Sequence, residues 1–459
     1  MTSHLTVTEA AAGIRGGGIT SHELTERLLA RIEEVDPALN AVVDLWPEES
    51  LRAAAEADAA LLRGDETGPL HGVPMTVKEG FNVAGRVTTW GNPVFAGFVP
   101  DRDATVVERL RAAGAIIVGK TNVPAMLADF GQTANDLYGR TRNPWDTART
   151  PGGSTGGGAA ALAAGLGYLE YGSDLVGSIR IPAGFCGVYG LRPTAGTVPT
   201  RGFQPPGPSA PPSEAGHLSV LGPLARSAAD LRTALRVTAG PEGEAAGAYR
   251  WELPPPRHAR LADFRVGVVL DHPGAPVTHE VGAVLSDAVD ALGVAGVKLR
   301  EGWPDGIDPD REAETFGFHV GLFFAHHQPG ADVAPIGDVV AQEHARMAAR
   351  AAWTRYFEEI DVFLCPVNFT TAFPHDDRPF AERVIPTAEG GRRYDDQVFW
   401  TTHAALPGLP AVAAPAGLSQ DGLPVGMQVV GPRFEDDTAI TFAGLAADVL
   451  GGFTPPPAR

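Results

Sequence analysis

Apolar positions in the first sixty residues fall at helical spacing. Leu24, Leu28, Leu29, Ile32 and Val35 mark one face, and Thr20 with Glu23 forms a capping-box pattern at its head. A second helix is expected through the Ala-rich stretch from Glu48 to Leu62. After Gly68-Pro69 the period becomes two: Val73, Met75 and Val77 alternate with Pro74, Thr76 and Lys78, which predicts a strand ending at Lys78. A helix from Ala104 to Ala113, the apolar strand Ala115 to Val118 and an Ala-rich helix from Ala159 to Ala164 follow. The Pro-rich segment Gly202 to Pro212 must be irregular, and it reads as a surface loop because Leu218 to Leu224 resumes apolar structure. Val266 to Leu270, Val362 to Cys365 and Gly426 to Val430 are further candidate strands, and no repeat at a fixed period is seen. Helix and strand alternating along the whole length predict an α/β protein with one wide sheet.

Composition narrows the function. The 459 residues, 44% hydrophobic, can bury a large core. The 55 acidic residues outnumber 36 basic ones, and a net charge of -19 repels a phosphate backbone, so no nucleic-acid partner is expected. Cys186 and Cys365 suggest neither a disulfide framework nor a cysteine zinc site, which fits a reducing cytoplasm. The first eight residues lack a basic start followed by an apolar core, and no run approaches the ~18 apolar residues of a membrane span. A cytoplasmic protein without a membrane partner is expected.

The chemistry concentrates where glycine crowds serine: Pro151-Gly-Gly-Ser-Thr-Gly-Gly-Gly158 and, after the Ala-rich helix, Gly177-Ser-Ile-Arg-Ile-Pro-Ala183. Such glycines let a backbone approach a ligand closely. A phosphate loop is excluded, since Ala159 stands where Gly-Lys-Ser/Thr would be needed. A plain turn or helix entry is the alternative for the loop by itself. Ser178 lies in Asp174-Leu-Val-Gly-Ser178, which could present successive N–H groups to one oxygen; losing one oxyanion donor typically costs ~3 kcal/mol of transition-state stabilisation. Lys78 at a strand end would ordinarily face water, whereas a catalytic lysine must be made partly neutral by burial or a nearby cation.

Taken together, His71-Gly-Val-Pro-Met-Thr-Val-Lys78-Glu-Gly80, the run from Asn143 to Gly157 and Gly172-Ser-Asp-Leu-Val-Gly-Ser178 continuing to Thr194 closely resemble the amidase-signature family. Val118 to Pro124, Gly408 to Val412 and Gly422 to Gln428 extend the resemblance over about residues 8 to 455. It implies a single α/β/α domain over 1–459 with a large twisted mixed sheet covered by helices on both faces. Within it would lie an N-terminal helical segment (about 1–65), a signature core (about 70–200), a variable substrate-pocket region (about 200–400) and a C-terminal sheet and helix segment (about 400–459). It also implies Ser178 as nucleophile, Ser154 on a cis peptide bond as the bridging serine, and Lys78 as the base. The oxyanion hole maps to the N–H groups of Leu175, Val176, Gly177 and Ser178, with Thr155, Asp174 and Arg180 bracing the loop and no metal or organic cofactor needed. Such a relay is chemically sound, because a serine hydroxyl is a poor nucleophile until a base takes its proton.

Two positions depart from the family pattern. Thr155 replaces a common second serine and keeps the hydroxyl, while Val176 replaces a common glycine, and a β-branched residue resists positive φ. Lys120 follows only one glycine and reads as structural; His326, His327 and His375 lack a carboxylate at ligand spacing. Phe316, Phe318, Phe323 and Phe324 read as core first and acyl-pocket lining second. The expected activity is hydrolysis of a small carboxamide with an apolar or aryl acyl group, releasing ammonia or an amine, with a homodimer as the candidate assembly. The alternatives are a glutamine-hydrolysing component of a transamidation complex and an inactive scaffold of the same fold.

Overall fold

The protein is described by a computed structural model over residues 4–206, 218–326 and 334–457. Eleven strands join into one mixed sheet. In spatial order they are Val42–Leu45, Ile116–Thr121, Pro74–Lys78, Glu170–Asp174, Val220–Ala225, Tyr189–Arg192, Ala411–Leu418, Pro424–Val430, Val362–Pro366, Arg265–Val268 and Lys298–Glu301. Pro74–Lys78 runs parallel to both of its neighbours, and Val220–Ala225 lies antiparallel to Glu170–Asp174.

Every residue of Pro74–Lys78, Ile116–Thr121, Glu170–Asp174 and Pro424–Val430 is buried, so both faces of the sheet are covered there. This changes the meaning of the period-two run that predicted the strand ending at Lys78. Thr76 and Lys78 are as buried as Met75 and Val77, because their polar ends find partners inside instead of water.

The helices form where the apolar spacing places them. Thr20 caps Ser21–Leu39 with the reciprocal Glu23 bond, Pro47–Arg63 covers the Ala-rich stretch, and Thr105–Ala112 precedes its strand. The Ala-rich helix begins earlier than expected, at Gly156. Its glycines admit close packing: a Cβ on Gly157 would sit 2.5 Å from the Asn122 backbone nitrogen. Residues 202–206 are irregular as expected, and the rest of the Pro-rich segment lies outside the described residues.

Candidate active site

Lys78 closes its strand with no solvent exposure, and its Nζ is surrounded by hydroxyls. It bonds Ser154 Oγ at 2.7 Å, Ser173 Oγ at 2.9 Å and Thr155 Oγ1 at 3.1 Å. An ammonium has a proton for each of three acceptors; a neutral amine has two, and one hydroxyl then donates to its lone pair. Burial pushes Lys78 down to about 7, against the opposing pull of the Asp174 and Glu170 carboxyls. At neutral pH both forms are therefore populated.

Ser154 follows a cis peptide bond with Gly153. Gly153 is hemmed in: a Cβ there would lie 2.5 Å from the carbonyl oxygens of Asp129 and Gln132. Thr155 N donates to Ser178 O at 3.1 Å, tying the two serine loops together. Ser178 is 4% exposed and lines the same cavity as Ser154 and Ser173. No hydrogen bond joins the Ser154 and Ser178 hydroxyls among the described residues. Thr155, expected only as a brace, also touches the lysine.

The loop from Asp174 to Ser178 is organised by one carboxylate. Asp174 accepts from Gly177 N at 3.0 Å, from Arg180 Nε and Nη2 at 2.9 Å each and from Arg192 Nη1 at 3.2 Å. Burial alone would raise its pKa, but the Arg180 and Arg192 guanidiniums overcome this and hold it well below the usual carboxylate range. The Gly177 N–H thus points at Asp174, which corrects its expected place in the oxyanion hole. Leu175, Val176 and Ser178 remain on the cavity wall. The left-handed turn falls at Gly177, φ 101°, and Val176 keeps a negative φ, so valine is not strained there.

The cavity above these groups has a volume of about 680 Å³. Trp90, Phe130, Phe203, Phe316, Phe323, Phe324, Phe380 and Phe399 are its aromatic lining, with Asp129, Arg393, Asp395 and Asp396 as its charged members. Phe316 is both buried core and lining. Phe318 is not part of the wall and meets His319 edge-on. Lys120 donates to Val87 O at 2.6 Å and Thr88 Oγ1 at 2.7 Å, fixing the loop that carries Trp90. His375 borders a separate cleft, while His327 and the His326 side chain lie outside the described residues.

Three contributors escaped sequence reasoning. Ser173 and Arg192 sit inside the signature run that ends at Thr194, where alternation next to Asp174 and a buried basic partner for it could have flagged them. Glu170 had no signal, since Glu-Tyr-Gly reads as the ordinary start of a strand.

A buried sheet that gathers a lysine and serine hydroxyls beneath an apolar cavity defines an enzyme of acid–base and nucleophilic chemistry. The chain belongs to the amidase family, whose model, described as Amidase, matches residues 23–311 and 308–440. It is thereby a hydrolase acting on C–N amide bonds. It is 34% identical to an indoleacetamide hydrolase of Bradyrhizobium diazoefficiens, over 95% of this chain and 84% of that one. It is 31% identical to a glutamyl-tRNA(Gln) amidotransferase subunit of Acaryochloris marina, over 92% of this chain and 93% of that one. Among solved structures, 6-aminohexanoate cyclic dimer hydrolase complexed with substrate superposes with a TM-score of 0.78 at 26% identity, over 98% of both chains. No helix among the described residues is long and apolar enough to cross a membrane.

Proposed function

We propose that the protein hydrolyses a small carboxamide bearing an apolar or aryl acyl group, with Ser178 as nucleophile and Ser154 and Lys78 as its proton relay. The observation that carries this reading is the fully buried Lys78 bonded to Ser154 at 2.7 Å, its pKa lowered by burial to about 7. Neutral Lys78 accepts a proton from Ser154, and Ser154 accepts one from Ser178. The Ser178 oxygen then attacks the carbonyl carbon, and the resulting oxyanion is met by the remaining N–H groups of the loop, those of Leu175, Val176 and Ser178. The relay returns its proton to the leaving nitrogen as the C–N bond breaks, and water releases the acid from the acyl-enzyme by the same route reversed. The aromatic wall supports an apolar acyl group, because it offers a ring large contact area.

Ammonia or amine release from primary, aryl and peptide-like amides, with glutamine included, tests this against Ser178→Ala and Lys78→Ala. Both variants should lose at least about 10³-fold in kcat/KM on the best substrate. Undiminished turnover by Ser178→Ala overturns the mechanism, and turnover of glutamine alone replaces the substrate class with that of a transamidation complex.

A further inference from the structure

One acid of the cavity wall is already fully engaged by the protein. Asp129 Oδ1 accepts from Gly131 N at 2.9 Å, from Gln132 N at 3.1 Å and from the Tyr394 hydroxyl at 2.7 Å, and its Oδ2 accepts from Arg383 Nη1. A carboxylate has about four lone-pair sites, and here each has a donor. Asp129 therefore holds other groups in place instead of offering itself to a ligand. Tyr394 is buried, and the Asp129 and Arg383 side chains are nearly so.

The donors come from two parts of the chain. Arg383 and Tyr394 flank the hairpin of Val384–Thr387 and Gly390–Arg393, in which Val384 pairs with Arg393, so both stand at its base. This hairpin is a sheet of its own, outside the eleven-stranded one. The chain reaches the cavity on either side of that base, with Phe380 before it and Val398 and Phe399 after it. Tyr394 backs the wall directly: its ring centroid lies 5.6 Å from that of Phe130, stacked, and 5.0 Å from that of Phe380, edge-on. Arg383 lies over the same Tyr394 ring at 5.2 Å.

On its other side Asp129 braces the loop that supports the approach to Ser154. Phe130 O accepts from Gly153 N at 3.0 Å, Gly131 O accepts from Thr150 Oγ1 at 2.7 Å, and Thr133 Oγ1 donates to Gly152 O at 2.8 Å. Phe130 serves both sides, its carbonyl holding Gly153 while its ring lines the cavity. A glycine makes the junction possible, since a Cβ on Gly131 would lie 2.3 Å from the Tyr394 hydroxyl oxygen.

We propose that Asp129 is a positioning residue for substrate selection, fastening the base of the hairpin to the loop that supports Ser154 and so fixing how far the aromatic wall stands from the reacting groups. The inference rests on that wall taking the acyl group and on Ser154 serving the relay. A contact that opens by roughly 0.5–1 Å forfeits about a quarter to a half of its dispersion attraction. An aryl substrate that fills the cavity feels such a shift, and a short aliphatic one that does not reach the wall is spared it.

The test is kcat and KM for wild type, Tyr394→Phe and Asp129→Ala, on an aryl amide and a short aliphatic amide that the wild type turns over. Tyr394→Phe keeps the ring and cuts one bond of the clamp. It should lower the aryl-to-aliphatic ratio of kcat/KM by about tenfold, through KM for the aryl amide. Asp129→Ala releases the hairpin and the loop together, so it should lower the ratio at least as far and add a several-fold drop in kcat on both substrates. A wild-type ratio in either variant overturns the inference and leaves the cluster a support of the fold. Should Asp129→Ala fail to fold, Tyr394→Phe decides alone. Ser154→Ala separates the two levels: full activity there sinks the relay reading, whereas a dead Ser154→Ala beside an unchanged ratio in Tyr394→Phe sinks the Asp129 inference alone.

Discussion

At the scale of single residues, the lysine governs how the enzyme should respond to pH. Its pKa falls from 10.5 to about 7 because burial disfavours the charged form. Activity should therefore rise as pH passes through about 7, when Lys78 becomes able to accept the Ser154 proton; a kcat/KM profile from pH 5 to 9 checks this. Stability follows the same sign. Between about 7 and 10.5 the unfolded chain binds a proton that the folded one has lost, so this group's contribution to stability grows with rising pH across that window and is poorest below it. The three residues of the proposed relay stood out because each lies in a distinctive run of the sequence. Burial of Lys78 was not, because strand alternation reports which residues share a face and is silent on what covers that face. Val176 shows the converse: the sequence flags a β-branched side chain where positive φ was feared, and the fold moves that φ one residue along, to Gly177.

At the scale of elements, the turn between strand Glu170–Asp174 and helix Arg180–Cys186 is built around an ion cluster with no solvent contact. Asp174 is the one negative charge shared by Arg180 and Arg192, and Arg180 reaches on to Thr401 O at 2.7 Å and to Gln428. Asp174→Asn would leave two buried guanidiniums short of a countercharge. It should cost about 3–5 kcal/mol, read as a lower urea midpoint, and should lower activity through the displaced Ser178 loop. The depressed Asp174 pKa works in the ordinary carboxylate direction: its contribution is present above the unfolded pKa near 3.8 and is lost as pH falls towards its folded value. Four helices and five strands of the sheet could be placed from periodicity, capping and composition, as Thr20 with Ser21–Leu39 illustrates. The early start at Gly156 could not, because three glycines oppose a helix by propensity and are accepted for the close packing they allow.

At the scale of the whole molecule, the groups of the proposed relay and most of the aromatic cavity wall come from different stretches of chain. Lys78, Ser154 and Ser178 come from the signature runs, whereas Phe316, Phe323, Phe324, Phe380 and Phe399 come from segments without a sequence pattern. Their convergence was illegible because it depends on tertiary packing of helix Pro309–His326 against Phe399–Ala405, which no local period encodes. Phe324→Ala should raise KM for an aryl amide about tenfold, with kcat nearly kept and little change for a short aliphatic amide. Equal losses on both substrates would show that the residue supports the fold instead of gripping the ring.

This division also bears on descent. When the parts that break the bond and most of the parts that select the molecule are written in separate stretches of one gene, mutation can rewrite the second without disturbing the first. A new diet of amides is then reached by changing phenylalanines well downstream of Ser178, while the inherited chemistry is passed on intact.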